Sequence, residues 1–288
     1  MWVTPSVRSL VQSELSFPLV EPLTPLPQDL QTLVVVGGGY LIDEAKAWRQ
    51  DHAHGIHLVA IPSLWGSGAE ASPIIVQNRE GKKVIRMEAE FLPNTRVIWP
   101  ELADTIPEAR ARMALGDCWA NAIEGFLSPL ASDTLRRGIA VLVKHMQALP
   151  LGKDARWFEL SAQASAAQAQ SSVGLVHGIA HALEGLLCAT QPEARWGHAK
   201  LCSVYLWPVL RFILHHSEDP QKLLETYGMD ITTILDIAKK LYDDMAYDQA
   251  LPTLEVNWKT VLRDPCTRTN SMLVKLPHLS YFQAKSFV

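Results

Sequence analysis

Hydrophobic and polar residues change their spacing along the chain, and the change divides it into two parts. Up to about residue 105, short apolar runs such as LVVVGGG (33–39) and IHLVAIPS (56–63) end in glycine or proline and alternate with helix-like segments. From Glu108 to about Leu251, apolar residues recur at helical spacing, with alanine-rich stretches and no convincing strand. The pattern predicts an α/β domain with a mostly parallel sheet over residues 1–105, followed by an all-helical domain over residues 106–288.

Several elements of the first part can be assigned from local patterns. The predicted strands and helices are MWVTPS (1–6, strand), VRSLVQSEL (7–15, helix), LVVVGGG (33–39, strand and turn), YLIDEAKAWRQ (40–50, helix), IHLVAIPS (56–63, strand) and TRVIWP (95–100, strand). SPIIVQN (72–78) and KKVIRMEA (82–89) predict a β-hairpin with Gly81 in its turn.

Composition narrows the class of protein. Of the 288 residues, 48% are hydrophobic and 19% charged, which is typical of a globular chain. The net charge is −4 and no basic stripe is visible, so we expect no nucleic-acid binding. The longest apolar run, near Leu201–Leu214, is too short to span a bilayer, and MWVTPSVRSL is unlike a signal peptide. Four scattered cysteines without a CxxC pair fit reduced thiols, and we expect a cytoplasmic protein without membrane partners.

Two glycine-containing loops each follow a predicted strand. Gly37, Gly38 and Gly39 join a strand to a helix, where backbone amides and the positive end of the helix dipole favour an anion such as a pyrophosphate. A tight turn without a ligand is the alternative. The second loop lies in IPSLWGSGAE (61–70), and its position predicts that both loops meet at the carboxyl edge of one sheet. The spacing is not that of the GxGxxG fingerprint.

Two helical segments carry residues that bind metals in other proteins. LGDCWANAIEGF (115–126) places Asp117, Asn121 and Glu124 on one face, although Asp117 alone could simply cap a helix. GLVHGIAHALEG (174–185) places His177 and His181 one turn apart, and His198 follows at the start of another apolar helix. A lone histidine on an apolar face is usually core, but three histidines and an acid favour a His/Asp site for Zn²⁺ or Fe²⁺.

Taken in order, these motifs resemble those of the iron-containing (group III) alcohol dehydrogenases, with glycerol dehydrogenase and dehydroquinate synthase as wider relatives. The matching segments are GGGYLIDEAK (37–46), PSLWGSGAE (62–70), Lys83 ahead of Pro93, LGDCWANAIE (115–124), GLVHGIAH (174–181) and DPCTRTN (264–270). The resemblance runs from about Leu33 to Asn270. It implies the dehydroquinate synthase-like fold, here with a shortened N-terminus, and a metal-dependent NAD(P)-linked enzyme that interconverts an alcohol and an aldehyde or ketone.

The resemblance also assigns roles to individual residues. The residues implied to bind NAD or NADP are Gly37, Gly38, Gly39, Asp43, Ser63, Gly66, Ser67 and Lys83. The residues implied to hold the divalent Fe²⁺ or Zn²⁺ are Asp117, His177, His198 and, where the family has a histidine, Asn121. His181 is implied to stand beside the nicotinamide and to relay a proton. The expected partners are a small alcohol or aldehyde and a second copy of the chain in a homodimer.

Departures from the family pattern leave two alternatives open. Asn121 is a poor ligand for Zn²⁺ or Fe²⁺, Pro5 stands where the family often has a ribose-binding Asp, and Tyr40 replaces a small serine beside the pyrophosphate. One alternative is a metal-dependent enzyme without net redox chemistry, performing elimination or cyclisation. The other is a non-catalytic relative that acts in binding or assembly.

Overall fold

The described part of the chain falls into two compact units. This computed structural model describes residues 1–244, apart from 25, 28, 53–54, 80–81 and 191–195, together with Val261. The first unit comprises Met1–Ala111 and Gly152–Ala166. The second unit comprises Arg112–Leu151 and the described residues from Ala167 onward.

The first unit is built on a parallel sheet. Its strands are β1 (Trp2–Val3), β2 (Thr32–Gly37), β3 (His57–Pro62) and β6 (Thr95–Arg96), hydrogen-bonded in the order β1-β2-β3-β6. All three strand pairs are parallel. The helices α1 (Arg8–Glu14) and α2 (Gly39–His52) follow β1 and β2 along the chain. The predicted mostly parallel sheet is therefore present, and TRVIWP contributes only the two residues of β6.

The sheet has a small apolar core, because buried apolar residues of β2 pair with buried apolar residues of β3. Leu33 pairs with Leu58 and Val35 with Ala60, and all four side chains are almost fully buried. Trp2 of β1 packs in the same cluster and contacts Trp48 of α2 edge-on, with 5.9 Å between ring centroids. Continuous apolar runs of this kind are what a parallel sheet covered on both faces requires.

The predicted hairpin is formed by β4 (Ile74–Arg79) and β5 (Lys82–Met87), which pair antiparallel; Gly81 lies outside the described residues. A buried ion pair ties α2 to this hairpin. The Lys46 ammonium donates to Asp43 Oδ1 at 2.9 Å and to the Ile74 carbonyl at 2.8 Å, while Asp43 Oδ2 accepts from the Val76 amide at 3.0 Å. The hairpin is therefore held through side chains of α2 as well as by its own ladder.

Glu70, in a short 3-10 helix after the second glycine loop, makes the stability of the protein depend on pH. It is almost fully buried, and burial raises its pKa from 4.5 to about 7. Between these two values the folded chain keeps a proton that the unfolded chain releases, so the free energy of unfolding falls as pH rises. In the unaltered protein this fall amounts to about 3 kcal/mol, and we expect it to be absent in Glu70→Gln, whose side chain does not titrate. Urea unfolding at pH 5 and pH 8 measures it, and an unchanged pH dependence in Glu70→Gln would contradict it.

From Glu108 onward, the regular elements of the described chain are helices. Their bounds are α3 (Glu108–Leu127), α4 (Asp133–Gln147), α5 (Arg156–Ala169), α6 (Leu175–Thr190), α7 (His198–His216), α8 (Asp219–Thr226) and α9 (Ile231–Asp244). Among the described residues from Glu108 onward no strand occurs, in agreement with the helical periodicity. Within the described ranges, no helix combines the length and apolar character needed to cross a membrane.

Candidate metal centre

A polar face of α3 is buried inside the second unit. Asp117, Asn121 and Glu124 follow one another along this face, and each is at most 5% exposed. Because α3 begins at Glu108, Asp117 lies in the middle of the helix and does not cap it, which excludes that alternative. Buried carboxylates are costly unless they are paired or hydrogen-bonded, so their partners define what this face does.

Glu124 meets the first turn of α6 and fixes the orientation of His177. Its Oε2 accepts from the Gly174 amide at 2.8 Å, and its Oε1 accepts from the Val176 amide at 2.6 Å. Oε2 also lies 2.7 Å from Nδ1 of His177. The carboxylate thus satisfies amides that a helix start leaves without partners, and it turns Nε2 of His177 toward α3.

Nε2 of His177 faces a cluster of other donor atoms. It lies 3.4 Å from Asp117 Oδ1, which is 3.8 Å from Nε2 of His198 at the start of α7. Cys202, one turn further along α7, places its sulfur 3.6 Å from the same His198 nitrogen. The four donor atoms all lie within 4.8 Å of one another. The structure therefore brings together Asp117, His177 and His198, as their motifs predict.

The two carboxylates around His177 change its affinity for a proton. Burial by itself disfavours the charged imidazole, but the carboxylates of Asp117 and Glu124, which accept hydrogen bonds from the ring, outweigh burial and raise the pKa of His177 to about 9. In the absence of a metal ion, a proton on Nε2 therefore holds His177 against Asp117. The two carboxylates, Asp117 and Glu124, therefore favour a positive charge at this position.

Asn121 and His181 adjoin this cluster. The Asn121 amide donates to Asp117 Oδ1 at 3.2 Å, so it steadies the carboxylate. The half-buried His181 ring stacks on His198 with 5.2 Å between centroids and lies 6.1 Å from the ring of His177. Both residues are thus next to the donor atoms, and the roles implied for them, metal ligand and proton relay, stay predictions.

Cys202 is a functional candidate that sequence reasoning missed. The four cysteines are scattered along the sequence and form no CxxC pair, so their spacing to one another does not predict a metal site. The available signal was the spacing of His198 and Cys202, four residues apart and therefore on one face of a helix. Cys202 is fully buried and forms no disulfide.

The glycine loops lie in the first unit and adjoin one another. Gly37 pairs with Pro62 at the carboxyl ends of β2 and β3, and the Ser63 amide donates to the Gly37 carbonyl at 2.9 Å. A Cβ placed on Gly39 would lie 2.3 Å from Ser67 Oγ, so only glycine allows the loops to approach this closely. Both loops therefore share one sheet edge, as their positions after strands predict.

The other residues predicted to bind the nucleotide interact with other parts of the first unit. The Gly66 amide donates to Ser161 Oγ at 2.7 Å, and both oxygens of Asp43 are used by Lys46 and Val76. Lys83 lies in β5 and contributes to the electrostatic environment of Asp43. Contacts of these residues with a nucleotide stay predictions. The DPCTRTN motif lies outside the described residues.

Sequence comparison relates this chain to several oxidoreductases. No protein-family model matches it. It is 29% identical over 199 residues to 1-propanol dehydrogenase PduQ of Salmonella typhimurium, covering 63% of this chain and 51% of that protein. It is 26% identical over 236 residues to an alcohol dehydrogenase of Thermococcus barophilus, covering 70% and 60% respectively. The match spans about half the length of the PduQ relatives.

Solved structures give the fold directly. The iron-containing alcohol dehydrogenase from Thermococcus thioreducens matches with a TM-score of 0.69 at 18% identity, covering 92% of this chain and 86% of that one. The sulfoacetaldehyde reductase from Bifidobacterium kashiwanohense, solved with NAD⁺, also gives 0.69 at 18% identity, covering 98% and 89%. The fold is that of the iron-containing alcohol dehydrogenases, as predicted. Fold and sequence similarity together relate the chain to this group III family, and the predicted resemblance is confirmed.

Proposed function

We propose that the chain is a metal-dependent NAD(P)-linked oxidoreductase that interconverts an alcohol and an aldehyde or ketone. The observation that carries the proposal is the convergence of Asp117, His177 and His198 from three helices onto one point. The names of the relatives support the same reaction class, since they include propanol and alcohol dehydrogenases. A small alcohol or aldehyde is the proposed substrate, and a homodimer the proposed assembly.

The donor set fits a divalent cation. Carboxylate oxygen and two imidazole nitrogens suit both Zn²⁺ and Fe²⁺, and the Glu124 hydrogen bond leaves the lone pair of His177 Nε2 for the ion. His177 would have to bind such a cation in its neutral form, with Nε2 unprotonated. When bound, the metal acts as a Lewis acid on the substrate oxygen, and the nicotinamide exchanges hydride with the substrate carbon.

The remaining residues of the site have proposed roles in orientation and proton handling. Asn121 holds Asp117 in place through its amide. His181, which stacks on His198, is proposed to take up or return the hydroxyl proton of the substrate, directly or through water. In the first unit, the glycine loops after β2 and β3 are proposed to bind the pyrophosphate of NAD or NADP through their amides.

The proposed reaction is tested by following NADH and NADPH oxidation with a series of small aldehydes, using protein of measured metal content. Turnover with either nucleotide supports the proposal. Protein that contains stoichiometric metal but neither binds a nucleotide nor turns over an aldehyde would overturn it. Metal without nucleotide, together with an elimination or cyclisation activity, would favour the non-redox alternative.

The Glu124 carboxylate is expected to control metal affinity without touching the ion. We expect Glu124→Gln to weaken Zn²⁺ binding about 10- to 100-fold, because an amide orients His177 less strongly and adds less to its basicity. Competition with a chromogenic chelator measures the affinity. Glu218→Gln, at an exposed carboxylate before α8, is the control and should bind as the unaltered protein does. Equal affinities in both variants would rule out the orienting role.

The first glycine loop provides a separate test of nucleotide binding. A Cβ on Gly38 would meet nothing within 4 Å, so Gly38→Ala leaves the fold intact but places a methyl group where the amides are proposed to meet a phosphate. We expect NAD(P)H affinity to fall about 5- to 100-fold, the cost of a steric conflict of about 1–3 kcal/mol. Fluorescence titration measures it. Gly138→Ala, equally open but in α4, should leave the affinity unchanged.

A further inference from the structure

We propose that Cys202 is a fourth protein ligand of the metal centre, taking over the place that Asn121 does not fill. The proposal rests on the metal site proposed above and adds to it a donor of a different chemical kind. It bears on which ion is bound and on how many protein ligands surround it.

Three of the six distances between the four donor atoms are close to those around a single tetrahedral ion, and all six are within 4.8 Å. With Zn–N and Zn–O bonds of about 2.0–2.1 Å and Zn–S bonds of about 2.3 Å, neighbouring ligand atoms are separated by roughly 3.3–3.7 Å. The separation is 3.4 Å between Asp117 Oδ1 and His177 Nε2, and 3.6 Å between Cys202 Sγ and His198 Nε2. The remaining measured edge, from Asp117 Oδ1 to His198 Nε2, is 3.8 Å. Along these three edges, shifts of a few tenths of an ångström would give the separations of coordinated ligands.

The local structure of α7 presents His198 and Cys202 together. They are one turn apart on the same helix, so the backbone holds both donors on one face without any loop to order. A histidine and a cysteine at this spacing can bind one ion from the same face of a helix. Asp117 on α3 and His177 on α6 approach the same point from the other helices. Four donors from three helices define a preformed site rather than a chance encounter of side chains.

Asn121 has a different function in this arrangement. Its amide nitrogen donates a hydrogen bond to Asp117 Oδ1, so this side chain supports the carboxylate ligand. The family position that supplies a histidine therefore supports the carboxylate here. Cys202 restores the number of donors from another helix.

A thiolate in the set selects among metals. Soft sulfur ligands favour Zn²⁺ over the hard cations, and Zn²⁺ also exceeds Fe²⁺ in general affinity for nitrogen and sulfur sites. Cys202 binds as a thiolate and its proton passes to solvent, so coordination adds no redox step. Catalytic zinc sites commonly have three protein ligands and sometimes expand to five-coordination, and a substrate oxygen would need such an expansion at a site with four protein ligands. The centre is therefore assigned as a zinc site.

Cobalt substitution tests the sulfur ligand without relying on activity. Co²⁺ bound to a thiolate gives a sulfur-to-metal charge-transfer band in the near ultraviolet, whereas carboxylate and imidazole ligands give only the weaker visible d–d bands. We expect the unaltered protein loaded with Co²⁺ to show both. Cys202→Ser and Cys202→Ala should lose the charge-transfer band while they keep d–d absorption, with at least tenfold weaker binding. Cys118→Ala, which removes the buried thiol next to Asp117 in sequence, is the matched control and should keep the band.

X-ray absorption at the zinc edge provides a second readout. It should detect one sulfur at about 2.3 Å in the zinc-loaded protein and in Cys118→Ala, but none in Cys202→Ser. Circular dichroism of the metal-free variants verifies that they fold. If the unaltered protein binds Co²⁺ and Zn²⁺ without any sulfur signal, the metal centre stands and the assignment of Cys202 is overturned. If it binds neither ion, both the assignment and the metal site itself are overturned.

Discussion

Replacing His177 by alanine is expected to lower the affinity of the protein for Zn²⁺ by about 100- to 1,000-fold. A four-ligand zinc site binds with roughly 10–16 kcal/mol, so one ligand accounts for about 3–4 kcal/mol, and each 1.4 kcal/mol is a factor of ten. The loss should include the benefit of the Glu124 hydrogen bond, since that carboxylate acts on the metal only through the imidazole. Elemental analysis after dialysis and chelator competition measure the effect.

The design of this experiment must separate metal binding from folding. Without the imidazole, Asp117 and Glu124 remain buried with less compensation, which destabilises the second unit. His177→Gln keeps a hydrogen-bonding side chain there and provides a second variant. His215→Ala removes an exposed histidine near the end of α7 and should retain full metal content. A folded His177 variant with unaltered zinc affinity would show that the ion binds elsewhere.

Replacing Lys46 by methionine is expected to destabilise the first unit by about 3–5 kcal/mol, because it leaves Asp43 buried without its cation. Burial already raises the pKa of Asp43, and Lys46 offsets this only in part. The ammonium is fully buried and also holds the Ile74 carbonyl, so the substitution removes a link between α2 and β4. Urea unfolding measures the change in free energy.

An exposed ion pair supplies the matched comparison. Lys222 lies 2.8 Å from Glu218, and both side chains are largely solvated. We expect Lys222→Met to change stability by no more than about 0.5 kcal/mol. Adding Asp43→Asn to Lys46→Met should recover part of the loss, because the uncompensated charge disappears. Equal stabilities of the two lysine variants would contradict a structural role of the Asp43–Lys46 pair.

The fold was accessible from sequence because its signals are local and repeated. Buried strands that end in glycine or proline, a hairpin pattern and a long run of helical periodicity predict most elements without knowledge of distant contacts. Asp117, His177 and His198 were accessible for a related reason, since each stands in a short motif whose chemistry is recognisable. TRVIWP was predicted as a strand from its composition, but only Thr95 and Arg96 pair with β3.

What sequence alone did not provide depends on contacts between distant segments. The role of Glu124 requires that the first turn of α6 lie against α3, and no periodicity encodes that approach. Asp43 and Lys46 stand in a motif of nucleotide-binding proteins, yet the contacts that define them here are with the hairpin. Cys202 joins the site only because α7 starts where it brings His198 to Asp117.

The placement of donor atoms on α3, α6 and α7 has a consequence for folding. An ion held by all three would act as a cross-link between segments distant in sequence, and its binding would add to stability by mass action, about 4 kcal/mol at a thousandfold excess over the dissociation constant. Thermal unfolding would then depend on metal concentration. Chains that lack the ion would then unfold more often and be more open to proteolysis.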